Sequence, residues 1–297
     1  MLDSLKVLAR NLPLCACLAA CPVIMPDSFD LSLERAVFLE YPGVFNLSGI
    51  ALDSSGVVYF ADDRGPVSPD WAETNPVLVS VPLDSILRST GGKVTLSPAG
   101  PAGGFDYSGL AKKTGKESKF DIEGIAPSRT GRLWAVDERD RLLLEFDLND
   151  GAIQPVAGPE TLLGGQEDLL ATGLNTSFEG VARIGDCLFI AQEMRPSVIL
   201  VYRISNGFRL ERRITVPDCP DLNDLCAEDG FLYALGRTKS EIYKIGPERG
   251  DILAVANFKA CADSIQHRYV TQREECYNSE GLGLTGHRVL VVLDGNG

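Results

Sequence analysis

One repeated pattern constrains this 297-residue chain more than any other feature. A small residue followed by an aliphatic recurs at Gly49, Gly124, Gly180, Asp224 and Gly281, at spacings of 75, 56, 44 and 57 residues. Each anchor opens a similar passage. The clearest is Phe120–Leu148, FDIEGIAPSRTGRLWAVDERDRLLLEFDL, with the apolar runs IEGIA, LWAVDE and LLLEFDL. Gly131 breaks the first two runs apart, and Arg139-Asp140-Arg141 the second two. The runs have strand length and the breaks have turn chemistry, so the passage reads as three consecutive antiparallel strands. The other copies are Leu47–Gly65, Phe178–Ile204, Leu222–Ile245 and Ser279–Gly297.

A unit of a few short strands cannot bury both of its faces alone. Units repeated at this period stack around a channel as the blades of a β-propeller. The sequence therefore predicts an all-β chain with one propeller of five blades over residues 30–297. The 75-residue spacing leaves room for a sixth blade. Within it, PVLVSVPLD and KVTLSP read as outer strands of the first blade. Residues 33–40, LERAVFLE, form a strand before the first unit, while the last unit holds only two strands. Pairing of N- and C-terminal strands would complete the final blade and remove exposed sheet edges.

Residues 1–20 stand apart from the repeat. Lys6 and Arg10 precede a short apolar stretch, Leu12–Ala20, as in an export signal. Leu18-Ala19-Ala20-Cys21 has the form of a bacterial lipobox, which predicts cleavage and lipidation of Cys21. The expected location is the periplasm, the outer membrane through a lipid anchor, or outside the cell. The remaining cysteines offer two pairings across polar segments, Cys261 with Cys276 and Cys219 with Cys226. No C-x-x-C occurs and the only histidines are His267 and His287, which argues against a structural zinc site.

The net charge is −13. Such a chain repels nucleic acid and anionic membrane surfaces, so neither is an expected partner, and a monomer is expected. Two insertions, Asp63–Asn75 with Trp71 and the lysine-bearing Gly103–Lys119, read as rim loops. A small molecule or a surface partner would meet the protein at that rim.

Carboxylates recur in register with the repeat. Ser48, Glu123, Glu179, Asn223 and Glu280 immediately precede the anchors. Asp63, Glu138, Glu193, Arg237 and Asp294 follow them by 13 or 14 residues. The first strand of a propeller blade lines the channel, so the first set should converge on the axis. Like charges crowded there need bound protons or a cation. Oxygen-only ligands favour calcium over zinc, which makes Glu123, Glu179, Glu280, Asn223 and Ser48 the candidate metal ligands. The plainer reading is that the glutamates pair with arginines such as Arg139, Arg195 and Arg237.

The pattern E-G-[IV]-A followed by a strand ending in D-E-R resembles the phytase-like family described as "esterase-like activity of phytase", and the related SdiA-regulated propellers. DIEGIAPSRTGRLWAVDERDRLLLEFDL and FEGVARIGDCLFIAQEMRPSVILVYRI carry the resemblance, which extends over about residues 45–297. It implies an exported, calcium-binding propeller.

Two function classes follow. One is a binding or scaffold module whose ion is structural. The other is a metal-dependent hydrolase of a phosphoester, ester or lactone, in which calcium polarises an oxygen and Asp63, Glu138 or Glu193 acts as general base. No G-x-S-x-G elbow, P-loop or G-x-G-x-x-G after a strand is present to support other chemistry.

Overall fold

The structure is a computed structural model. It describes residues 4–9, 14–20, 29–40, 47–62, 78–89, 92–102, 104–114, 121–164, 178–193, 197–216, 219, 221–269, 278–286 and 288–294.

Four strands precede the first repeat unit: β1 (Ser4–Ala9), β2 (Leu14–Ala20), β3 (Phe29–Asp30) and β4 (Leu33–Glu40). The first unit supplies β5 (Leu47–Leu52), β6 (Val57–Asp62), β7 (Leu78–Pro82), β8 (Lys93–Thr95) and β9 (Ser97–Pro98). The second supplies β10 (Ile122–Arg129), β11 (Arg132–Asp137), β12 (Leu142–Asp147) and β13 (Ile153–Ala157). The third supplies β14 (Phe178–Ile184), β15 (Cys187–Gln192), β16 (Val198–Arg203) and β17 (Arg209–Thr215). The fourth supplies β18 (Asp224–Glu228), β19 (Phe231–Gly236), β20 (Glu241–Ile245) and β21 (Ile252–Asn257), and the last β22 (Asn278–Thr285) and β23 (Arg288–Asp294).

These strands make mostly antiparallel sheets arranged as in a β-propeller. Four sheets have the blade form, a four-strand antiparallel meander: β5-β6-β7-β9, β10-β11-β12-β13, β14-β15-β16-β17 and β18-β19-β20-β21, the last with β3 added at its edge. The expectation of five or six blades is corrected to these four. The remaining strands form a composite sheet, β22-β23-β1-β2-β4-β8, which joins strands from the two ends of the chain. Strand β4 thus shares a sheet with β22 and β23, although β1 and β2 lie between them. KVTLSP divides: β8 pairs with β4 in the composite sheet, and β9 pairs with β7.

Packing between sheets explains the near-continuous apolar runs. Successive side chains point to opposite faces, and both faces of each blade meet a neighbour. In β15, Leu188 and Ile190 pack toward Trp134 and Val136 of β11. Phe189 and Ala191 pack toward Leu232 and Ala234 of β19. Similar apolar clusters fill the other spaces between sheets, including that between β5–β7 and the pair β4 and β23.

Two segments expected as loops are helical in part, over Tyr107–Thr114 and Lys259–Tyr269. The first lies in the lysine-bearing insertion. The insertion Asp63–Asn75, with Trp71, is outside the described residues. Cys187, Cys219, Cys226 and Cys261 are free thiols. Cys219 donates to the Asp221 carbonyl and Cys261 to the Leu31 carbonyl, both at 3.0 Å. The expected Cys219–Cys226 link is therefore not formed, and Cys276 lies outside the described residues. Among the described residues no helix is long and apolar enough to cross a membrane.

Candidate functional site

The first strands of the units, β5, β10, β14, β18 and β22, stand side by side around the axis. Their anchors touch in register. A Cβ on Gly49 would lie 2.8 Å from the Glu123 carbonyl oxygen, and one on Gly124 would lie 2.6 Å from that of Glu179. A Cβ on Gly281 would lie 2.8 Å from the Ser48 carbonyl oxygen. Missing side chains let the backbones approach this closely. Side chains just before the anchors are thereby brought to one mouth of the channel, and those just after them to the other.

The first mouth is acidic. Glu179 is only 7% exposed. Burial holds its carboxyl well above the ordinary carboxylate range, and the charges of Glu123, Glu138, Glu193 and Glu280 push it the same way. Four glutamates thus act on Glu179 at one end of the axis. Arg237, at the end of β19, is the counter-charge. Its Nη1 lies 3.0 Å from Glu280 Oε1, its Nη2 2.7 Å from Glu193 Oε1 and its Nε 3.9 Å from Asp221 Oδ2. Burial also raises the Glu193 carboxyl, with Arg237 opposing the rise.

The expected ligands take different roles. Asn223 is 2% exposed; its Nδ2 lies 3.4 Å from Glu280 Oε2, while its buried Oδ1 accepts no hydrogen bond. Ser48 is turned to the framework, its hydroxyl donating to the Ile122 carbonyl of the adjacent inner strand. Of the candidate bases, Glu138 is buried at the cluster, Glu193 is bound to Arg237, and Asp63 is outside the described residues. Arg139 turns away to Asp121, 3.5 Å from its Oδ2, and Arg195 is outside the described residues. Among the described residues, no three His, Cys, Asp or Glu side chains form a ready-made metal ligand set. Glu123, Glu179 and Glu280 are electrostatic neighbours.

Two acids carry more than the repeat alone announces. Asp221 accepts from the Thr238 amide at 3.0 Å and its hydroxyl at 2.6 Å, fixing the turn that presents Arg237. Asp224 stands where the other units have glycine, and it is 0% exposed. Its carboxylate accepts from the amides of Leu225 and Leu282 at 2.8 Å each, and also from that of Ile50. Strands β18 and β5 are not neighbours, so this side chain links inner strands that do not pair. Burial holds it well above the ordinary carboxylate range. The signal was the fourth unit's Asn-Asp in place of Glu-Gly.

The family model for phytase-like proteins, described as esterase-like activity of phytase, matches residues 42–258. The chain belongs to this phytase-like family. Solved structures resemble the chain in fold. Glutaminyl cyclase of Myxococcus xanthus superposes with a TM-score of 0.50 at 15% identity, over 84% of this chain and 91% of that one. A chain of a nidogen/laminin complex gives a TM-score of 0.44 at 12% identity, over 86% and 94%. Virginiamycin B lyase from Staphylococcus aureus gives 0.41 at 11% identity, over 84% and 95%. At these identities the likeness concerns fold alone. No curated protein matches the chain.

Proposed function

We propose that this phytase-like propeller is an exported binding module that takes calcium at its acidic axial mouth and presents the surrounding rim to a small-molecule or surface partner. One observation carries the reading: the buried, unpartnered Asn223 Oδ1 beside Glu280, at a mouth where Glu123, Glu138, Glu193 and Glu280 all act on the buried Glu179. An orphaned buried carbonyl among carboxylates is a donor set for a hard cation, and it is costly to leave unmet. Glu179, Glu280 and Asn223 would hold the ion, with Glu123 close by. The bound ion would add positive charge to that of Arg237, which faces several acids.

Hydrolysis is the weaker reading. Glu193, a candidate base, is already spent on Arg237. A phosphoester is the least suited substrate, because this mouth repels phosphate. Export rests on the Leu18-Ala19-Ala20-Cys21 sequence.

Calorimetric titration of the chelator-treated protein with calcium tests the proposal. Saturable binding that Glu179→Gln weakens at least tenfold is expected. A folded wild-type protein that takes up no calcium at millimolar concentration overturns it. Chelator-sensitive turnover of an aryl ester or lactone would move the reading to the hydrolase.

A further inference from the structure

The outer edge of the third unit differs from the others. The outermost strand of the first unit's blade, β9, is two residues long and ends in Pro98. That of the second, β13, is broken by Pro155. In the fourth, β3 covers the outer edge of β21. Short strands, prolines and covering segments protect a sheet edge from pairing. Strand β17 has none of these. It runs for seven residues without proline, and among the described residues no strand lies beyond it. One bond at its end fixes which groups face outward. The Val216 amide donates to the Ser197 carbonyl at 3.0 Å, so Val216 faces β16. Main-chain groups alternate in direction along a strand, so those of the exposed Thr215 point away from the sheet.

The side chains of this edge are basic. Strand β17 carries Arg209, Arg212 and Arg213 against Glu211, in a chain whose net charge is −13. Glu211 is already held by Arg203 of β16, at 2.9 and 3.0 Å. Arg209 and Arg213 are exposed. Arg212 donates from Nη2 to the Pro247 carbonyl at 2.5 Å, while its buried Nε has no hydrogen-bond partner.

We propose that this edge docks an acidic, extended segment of a partner protein, which adds to the third blade as a further strand. Outward main-chain groups supply the ladder, and the arginines select the sign of the incoming strand. Side chains of an added strand stand beside those of β17, so its carboxylates would meet Arg209 or Arg213. The same arginines repel a second copy of β17, which disfavours pairing of two such edges.

Fluorescence anisotropy of a labelled peptide of alternating glutamate and valine, with the full chain in chelator at low salt, tests the proposal. Saturable binding is expected. The same peptide N-methylated at successive residues, which blocks both of its edges, should bind at least tenfold more weakly. Thr215→Pro removes an outward amide without removing a bond to β16, and proline is tolerated at such a position. It should weaken binding at least fivefold with a melting temperature near wild type. Arg209→Glu combined with Arg213→Glu should weaken it at least tenfold. Absence of saturable binding to folded wild type overturns the proposal. Equal binding of the N-methylated peptide overturns strand addition, a comparison made on wild type alone. Unchanged binding by the folded variants overturns the location.

Discussion

Arg237 Nη1 lies 3.0 Å from Glu280 Oε1, and the same guanidinium reaches Glu193 Oε1 at 2.7 Å. Arg237 follows β19, Glu193 follows β15, and Glu280 lies in β22, so one side chain ties three sheets together at the acidic mouth. The repeat has Glu138 and Glu193 at the equivalent place in the second and third units. The fourth unit thus puts a fixed cation where the others put an acid, and offsets part of the crowding they create.

Removing that cation should be costly. Arg237→Gln leaves Glu193 and Glu280 uncompensated, and losing one partner of a buried pair costs about 3–5 kcal/mol. Arg237 is 32% exposed, so solvent screens part of this and a loss of about 1–3 kcal/mol is expected. If the mouth takes calcium, the ion should restore more stability to Arg237→Gln than it adds to wild type. Denaturant midpoints of both proteins, with calcium and with chelator, measure the difference. Equal calcium gains would argue that the ion sits elsewhere.

The anchor glycines offer a steric test. A Cβ on Gly180 would run into the Leu225 amide nitrogen and lie 2.6 Å from the Asp224 carbonyl carbon. Both obstacles are backbone and cannot rotate away. Gly180→Ala should cost about 1–3 kcal/mol by overpacking, and Gly124→Ala a similar amount. Gly283→Ala is the control. Its Cβ would come no closer than 3.4 Å, to the Ile50 Cδ1 atom, so its thermal midpoint should stay near wild type. Equal effects at Gly180 and Gly283 would mean that close approach of the inner strands does not limit the fold.

Much of this was legible because period and chemistry coincided. Glycine at the same step of four units marked the axial strands, and glutamate just before it marked the acidic mouth. The composite sheet was less legible. Lys93-Val94-Thr95 reads as one more outer strand of its own unit, and only its pairing with β4 shows otherwise. The Cys261–Cys276 segment reads as a loop because its apolar side chains are few, yet Cys261 and Ile265, one helical turn apart, are buried under Leu31 and Phe258. Asp224 was visible as a break in the repeat. Its link to β5 depends on how the inner strands are arranged about the axis, which no local pattern encodes.

Processing gives a separate prediction. If Leu18-Ala19-Ala20-Cys21 directs export, intact-mass analysis of protein from its native envelope should find residues 1–20 missing and lipid on Cys21. Removal would also take β1 and β2 out of the composite sheet. Recovery of unmodified Met1 from the envelope would remove the export reading.

The last prediction concerns pH. Asp137 is 0% exposed, at the end of β11. Its Oδ2 accepts from the Asp121 amide at 2.8 Å and its Oδ1 from the Asp140 amide at 2.7 Å. Burial outweighs these two bonds and pushes the carboxyl up to about 7. The folded state therefore keeps a proton that the unfolded chain releases near pH 4. Between those values the folded state binds more protons, so stability falls as pH rises. The contribution is fully present below about pH 4 and is lost by about pH 7. One pKa unit corresponds to about 1.4 kcal/mol, which bounds this residue's share at about 4 kcal/mol. Glu179 and Asp224 shift in the same direction. In chelator, the urea midpoint should accordingly be higher at pH 5.5 than at pH 8. Asp137→Asn should lower the midpoint at both values, because its Nδ2 would face one of the two amides. It should also flatten the slope between them, since the side chain no longer titrates. A wild-type midpoint that rises from pH 5.5 to pH 8 would show that Asp137 and its buried companions are ionised in the folded protein.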